Sequence, residues 1–458
     1  MRFMALVISL FLTAGSAFGK TNGKIVLTTS DYVSGNTACY DIGTNALLDG
    51  FLGHFQDSYA RAYGRYVYII EGGDNSNIIK LDMDNLGSPM YQYSTGVGSN
   101  PHDLVFVPTV NYLKGYVIRY GKPSIWVVNL DAASSSAFKN GEIDISAWKD
   151  ADGSPEAHMG FYYGGYVYVV LQRYDLNAFA AGTGVLIKID PSTDTIVDLD
   201  PDTAGIQGVD FIKKNPVEGS LCGNLLYLAG TTYGASDEGI WSVDLDNPKN
   251  GQRVVAAESA LGGSSGGIFV MNPEYAIVKT YDASWNQVPR PMNPSTGVFL
   301  SPLSVPDAGG GIVYAGGLLY IGSRDAGNPG LYVVDPNTGA VTTGPFSTSL
   351  PPLTLAYVDG VTPTAVLEAA PTAFAISSVF PNPFNPRTTI SFTLNRKENV
   401  ALTVFSVTGQ KVADLVSSPM EAGRHTVTWD AAGCSTGVYL VRLSDGKRSV
   451  VSKCMLMK

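Results

Sequence analysis

Apolar and polar positions recur in one arrangement from Lys24 to Asp359. A nearly continuous apolar run is followed by a variable loop and then by a second apolar run that often closes on Asp. "RYVYIIEGGDNSNIIKLDM", "NLLYLAGTTYGASDEGIWSVDL" and "GLLYIGSRDAGNPGLYVVDP" are three of seven copies. The first runs start at Ile25, Tyr66, Tyr116, Tyr166, Leu225, Tyr275 and Leu318, between 41 and 59 residues apart. Short runs rich in Val, Ile and Tyr, bounded by Gly, Asn and Asp, predict strands. A repeat of this length built only of strands predicts a β-propeller. The sixth copy is the least regular, because Pro289 and Pro291 fall where its second strand should run and proline removes a ladder donor.

A further short strand follows each pair, as in "ALLDGFL", "EIDISAW" and "TIVDL". Another precedes the next copy: "SYARAY", "HDLVFV", "HMGFYY", "GVDFIK", "GGIFV" and "GGIVYA". Each blade therefore has four strands. The first copy has no strand ahead of it, and "PLTLAYV" (Pro352 to Val358) comes after the last. That late strand is expected to complete the first blade and close the ring, removing a sheet edge.

Residues 359–374 are rich in small residues and proline and read as a linker. Alternating segments then run from 375 to 458, among them "TTISFTL", "NVALTVFSVTG", "GRHTVTWD" and "GVYLVRL", and predict a small β-sandwich. "FPNPFNPRTTISFTL" places Pro381, Pro383 and Pro386 ahead of a strand. Because proline fixes φ and holds its predecessor extended, this stretch is expected to be a stiff lead into the sandwich.

The chain begins with Arg2, an apolar run to Thr13 and the small residues of Ala17-Phe18-Gly19, the pattern of an export signal over residues 1–19. No later run is long enough to span a membrane. With 45% hydrophobic and 15% charged residues a packed core is expected. A formal charge of -10 argues against nucleic acid as a partner. The four cysteines match no metal pattern. Cys434 and Cys454 flank the hairpin "GVYLVRLSDGKRSVVSK" and are either a disulfide pair or two free thiols.

Through "LYVVDPNTGAV" and "LIKIDPSTDTIV" the repeats resemble YVTN-type seven-bladed propellers, a group related in shape to lactonase-like propellers. Through "FPNPFNPRTTISFTL", "VFSVTGQKV", "EAGRHTVTWD" and the basic end "KCMLMK", residues 375–458 resemble the C-terminal sorting domain of type IX secretion cargo and the immunoglobulin-like domain of flagellar hook-capping proteins. The resemblances imply an all-β chain: a seven-bladed β-propeller over 20–358 and a small immunoglobulin-like β-sandwich. They also imply secretion or outer-surface display, with the secretion machinery as partner of the sandwich.

In a propeller the starts of the innermost strands share one face with the loops between second and third strands. Asp57, His102, Glu156, Gln207, Ser264, Asp307 and Pro352 are expected at those starts. Arg173, Tyr174, Tyr281, Trp285, Arg324 and Asp325 are expected on the loops. His102, Glu156 and His158 with Asp103 and Asp57 are candidates for a ligand, metal or acid–base cluster, or for polar ties between blades. "KDADGSPE" sets Asp150, Asp152 and Glu156 around a glycine turn, the hard oxygens that suit Ca²⁺, although the spacing is not that of a calcium-hand loop and a solvated acidic turn fits as well. No other cofactor is implied. "LGGSSGG" lacks the lysine of a phosphate loop, and no nucleophile elbow is present. The reading is a surface or secreted propeller that binds a glycan, peptide or small molecule at its central mouth. A lactone or polysaccharide hydrolase or lyase, and a structural surface-layer component, are the alternatives.

Overall fold

The computed structural model describes residues 23–232, 238–360, 374–380, 382, 384–394, 398–420 and 423–458. The export signal expected over 1–19 and most of the expected linker lie outside them. Two compact units emerge, the first built of Met1–Val107 and Asn111–Pro363, the second including Thr364–Lys458.

Seven antiparallel sheets of four strands make the blades of the first unit, the fourth carrying one extra edge strand, and Tyr174–Asp175 pairs with Ala180–Ala181 in a separate two-stranded hairpin. The innermost strands, in ring order, are Pro352–Val358, Ser58–Tyr63, Pro101–Pro108, Ala157–Tyr163, Pro216–Cys222, Ser265–Asn272 and Ile312–Ala315. Position within a blade explains the apolar pattern. Second strands such as Tyr66–Glu71 and Leu113–Arg119 are covered on both faces and are buried almost end to end. Outer strands such as Ala46–His54 and Tyr91–Ser94 alternate.

The core is not central. It is divided into seven apolar clusters, one between each pair of neighbouring blades. Val105, Ile118 and Ile125 of the third blade meet Val167, Val169 and Ile187 of the fourth in one of them. Gly160 marks how closely inner strands approach, since a Cβ there would lie 2.2 Å from Val105 Cγ2. The Asp that closes so many third strands is a turn residue. Asp41, Asp82, Asn129, Asp190, Asp244, Asn293 and Asp335 each accept a backbone N–H two or three residues on.

Closure follows the expected route. Pro352–Val358 pairs antiparallel with Lys24–Ser30, from Lys24 opposite Val358 to Thr29 opposite Pro352. Thr354 Oγ1 lies 2.7 Å from Thr28 Oγ1 and accepts the Ala60 N–H at 2.8 Å, joining the late strand to the first and second blades.

Two expectations about the propeller need correction. "GVDFIK" does not supply the innermost strand of the fifth blade. Val209–Asp210 pairs with Val185–Asp190 of the fourth, and Pro216–Cys222 is the innermost strand instead. The physical reason is the turn: Gly223-Asn224 closes a two-residue hairpin with Cys222 opposite Leu225, and Gly223 supplies the left-handed backbone. Pro289 and Pro291 do not interrupt the sixth blade, because Gln287–Asn293 pairs with Tyr275–Tyr281 without a break from Gln287 to Met292. Their carbonyls accept from Leu303 and Leu300 on the outer side, where only Met292 and Asn293 have ladder partners, so no ladder N–H is lost.

The second unit is a sandwich. Ala375–Phe380, Arg387–Leu394 and Gly423–Asp430 form one sheet. Lys411–Met420, Glu398–Ser406, Gly437–Ser444 and Ser449–Leu456 form the other. Ile390, Phe392, Leu402, Val404, Trp429 and Val441 fill the space between them. The proline-rich stretch is not a lead into this fold, since Ala375–Phe380 precedes it and already pairs with Arg387–Leu394. It crosses to the last strand instead. The Asn382 amide donates to Lys453 O at 3.0 Å and accepts from Met455 N at 2.9 Å. Phe384 N donates to Met455 O and Phe384 O accepts from Met457 N, both at 2.9 Å. The Phe384 ring is 3% exposed and lies 5.3 Å from that of Trp429. Pro381 and Pro383 are outside the described residues. The Cys434–Cys454 pairing is not made: both are free thiols, Cys454 buried in the core and Cys434 packed against it.

Two stability predictions follow from these contacts. Thr354→Val leaves the Ala60 N–H without its acceptor and should cost the propeller about 1–3 kcal/mol, read as a lower urea midpoint of the whole unit and not as local fraying. Phe384→Ala should cost roughly 3–5 kcal/mol. Calorimetry of the full chain should then show the sandwich transition lowered by more than about 10 °C and the propeller transition unmoved.

Candidate functional site

The innermost strands start on one face, the mouth of the ring. Asp57, Glu156 and Ser264 directly precede such strands, His102 and His158 sit one residue inside theirs, and Pro352 begins the closing strand. Gln207 does not belong to this set, because it precedes the misassigned strand and caps its own loop through Asp198 and Ala204.

The mouth residues divide into separate groups. His102 Nδ1 and His158 Nδ1 are 2.8 Å apart, and His158 Nε2 lies 3.1 Å from Val217 O. A carbonyl only accepts, so His158 carries its proton on Nε2 and its Nδ1 accepts from His102 Nδ1–H. Burial pushes both imidazoles below their ordinary range, His102 strongly, and for His102 the neighbouring histidine adds to the shift. The His102 ring stacks on Tyr120 with centroids 4.1 Å apart. Tyr120 Oη donates to Gln172 Oε1 at 2.9 Å, and Gln172 Nε2 donates to Asn215 Oδ1 at 2.6 Å and to Pro216 O at 3.2 Å. Asn215 in turn donates to Thr231 O. The chain of bonds ties the third, fourth and fifth blades together at their mouth ends. Deeper in the channel Arg61 pairs with Asp103 at 2.7 Å, and Asp103 Oδ2 accepts the Gly160 N–H.

Glu156 does not join the histidines. Its carboxyl faces Asp150 and Asp152, and one oxygen of each of the three lies within 4.8 Å of the others. Glu156 is 0% exposed, and neither of its oxygens has a hydrogen-bond partner among the described residues. Burial pushes its carboxyl up to about 8, with Asp150 and Asp152 adding to the shift and the nearby Ser154 hydroxyl and Tyr174 N–H opposing it. Asp57 is linked to the histidine group through Tyr59, whose ring lies 5.5 Å from that of His102; burial raises its carboxyl and the Tyr59 hydroxyl opposes the rise.

The remaining expected residues hold loops. Asp307 Oδ1 accepts from Gln287 N at 3.0 Å and Gly309 N at 2.9 Å. Arg324 donates to Pro352 O at 2.8 Å and Ser30 O at 3.2 Å, bridging the seventh blade to the first, and its guanidinium lies 4.7 Å from the Tyr32 ring. Arg173 opens the long loop of the fourth blade with φ 53 and donates to Thr183 O at 3.3 Å. Sequence reasoning missed Tyr120, Gln172 and Asn215. The first two follow second strands, and Asn215 directly precedes the true innermost strand of the fifth blade, so a correct strand assignment there would have exposed it.

Another set of rim residues emerges from the backbone. Tyr32, Phe179 and Trp285 are 62%, 79% and 65% exposed, on the second-to-third-strand loops of the first, fourth and sixth blades. Each has left-handed backbone, with φ of 66°, 51° and 66°. Non-glycine residues in that region cost of order 1–3 kcal/mol, and bulky side chains are rare there.

Residues 378–457 match the family described as secretion system C-terminal sorting domain. That domain indicates a secreted protein attached at the outer surface, in contact with the type IX secretion machinery. Among the described residues no helix is long and apolar enough to cross a membrane. No curated protein matches the chain. Among solved structures, the chain is similar to a functionally unknown protein from Desulfotomaculum acetoxidans, with 13% identity, 73% of this chain and 98% of that chain covered, and a TM-score of 0.48. It is similar to the Dos1 propeller at 10% identity, with 90% and 94% covered and a TM-score of 0.41. A chain of a nidogen–laminin complex is similar at 11% identity, with 74% and 100% covered and a TM-score of 0.40.

The buried histidine pair makes the propeller sensitive to acid. A histidine whose folded pKa lies below its unfolded value of about 6.5 binds fewer protons folded than unfolded, so stability is full above that pH and falls as pH drops through it. His102→Gln keeps a donor toward His158 and removes one titrating group. Urea midpoints measured from neutral pH downward should show a shallower acid decline in the variant than in the wild type.

Proposed function

We propose that this is an exported surface protein whose propeller binds an extracellular glycan, peptide or small molecule through its mouth face. In this reading the C-terminal sandwich is an immunoglobulin-like sorting module of the hook-capping type, and the propeller is of the YVTN type. The observation that carries the binding role is the trio Tyr32, Phe179 and Trp285. Three exposed aromatic side chains are held on strained backbone at the rim of one face. Glycine would fit each position without strain, so the stability forgone points to use of the rings. Exposed aromatic rings on a rigid frame offer contact area at little entropic cost, as recognition surfaces require. Arg324 acts in this reading by supporting Tyr32 from below, while Arg173 and Asp307 set the loops that carry Phe179 and border Trp285.

Hydrolysis is less well supported. General acid–base work needs two titratable groups within reach of one reacting atom. His102 and His158 bond to each other, and Glu156 faces two other carboxylates.

The test is a screen of the full chain against an oligosaccharide array and a peptide library, repeated with Tyr32→Gly, Phe179→Gly and Trp285→Gly. At least one ligand should bind roughly tenfold more weakly to a variant, a loss of about 1.4 kcal/mol, while the Tm of that variant is unchanged or raised. Hits that bind all three variants as tightly as the wild type would remove the mouth from the proposal.

A further inference from the structure

The segment 150–156 reads Asp-Ala-Asp-Gly-Ser-Pro-Glu and links the outer strand of the third blade to the innermost strand of the fourth. It folds back on itself: Asp150 N donates to Ser154 O at 3.0 Å and Gly153 N to Asp150 O at 3.3 Å. Asp150 Oδ1 accepts from Asp152 N, and Asp152 Oδ1 accepts from Ser154 N, both at 3.0 Å. These bonds use one oxygen of each aspartate. Asp150 Oδ2 is left buried and without a partner, as are both oxygens of Glu156.

Acidic clusters on a surface loop are common and solvated. This one differs because its third member is fully buried and unpaired, and an oxygen of it lies within 4.8 Å of an oxygen from each aspartate. No Lys or Arg among the described residues forms an ion pair with any of the three. Ligands held about 2.3–2.6 Å from a calcium ion lie at most roughly 5 Å from one another, so the three oxygens fit one coordination shell. We propose that Asp150, Asp152 and Glu156 bind a calcium ion. Ca²⁺ accepts several flexibly arranged carboxylate ligands, whereas Mg²⁺ demands a tight octahedron and is the weaker candidate. Extracellular modules bind calcium at about 10⁻⁴–10⁻³ M, a range open to a secreted protein.

The ion would also act on the long loop of the fourth blade. Asp152 Oδ2 accepts from Leu176 N at 2.9 Å, Gln172 N donates to Glu156 O at 2.9 Å, and Arg173 N donates to Pro155 O at 3.3 Å. Fixing the three carboxylates therefore fixes both ends of the first half of a loop that carries Phe179. The inference stands whatever ligand the rim takes.

The experiment uses the full chain, stripped with chelator and then titrated with CaCl₂ or MgCl₂ while the Tm and cleavage of the 172–184 loop by a protease are followed. Calcium at about 10 mM should raise the wild-type Tm by several degrees and slow cleavage, with magnesium well behind. Glu156→Gln and Asp152→Asn should lose both effects. Glu156→Gln keeps the shape of the side chain but cannot ionise, so in chelator it should be at least as stable as the wild type and in calcium less stable. That reversal separates an ion site from a merely strained acidic turn. No wild-type response to calcium, or an equal response in Glu156→Gln, would overturn the proposal.

Discussion

Everything in the propeller depends on each blade burying both faces against neighbours. No blade has a core of its own, because the apolar clusters lie between sheets. A ring of such sheets has no natural end. If one contact opens, two apolar faces meet water at once, each carrying side chains worth roughly 1.5–3 kcal/mol when buried. The strand Pro352–Val358 meets this constraint by joining the far end of the chain to its beginning. Arg324 and Thr354 strengthen that seam with bonds that cross from the seventh blade to the first and from the first to the second.

Closure also bears on the mouth. A rigid ring can hold loops in backbone conformations that a looser frame would relax. Tyr32, Phe179 and Trp285 sit in such conformations, and the polar chain from Tyr120 through Gln172 to Asn215 keeps three blades in fixed relation beneath the rim. The two histidines belong to that frame. Their neutrality, held by burial against the pull of Asp103 on His158, lets them share one proton between ring nitrogens.

Much of this was legible in the chain. Continuous apolar runs marked the doubly covered second strands, and the late strand "PLTLAYV" announced closure. What misled was local. "GVDFIK" is more apolar than "PVEGSLC", yet the Gly223-Asn224 turn decides which of them pairs with Leu225–Gly230. Pro289 and Pro291 looked disruptive because the side of a strand that a proline faces is set by register, which composition does not carry. At the mouth, the sequence placed His102, Glu156 and His158 together. It also offered Glu156 to Asp150 and Asp152 and did not decide between the two groupings, because the left-handed backbone of Glu156, φ 44, is what redirects the side chain. The acidic turn itself was visible. Its burial, which makes it more than a solvated loop, was not.

The crossing of Asn382–Phe384 onto the last strand has a consequence for a chain that must travel before it reaches the cell surface. Ser449–Leu456 is the outermost strand of its sheet, with Gly437–Ser444 on one side. An open strand edge is a template on which a second molecule can add its own strand, and crowded export intermediates would multiply such encounters. The amide of Asn382 occupies the carbonyl of Lys453 and the N–H of Met455, and the backbone of Phe384 takes Met455 O and Met457 N. The C-terminal part of that edge, from Lys453 to Met457, is thus already spoken for, and there the molecule carries its own guard against templated self-association.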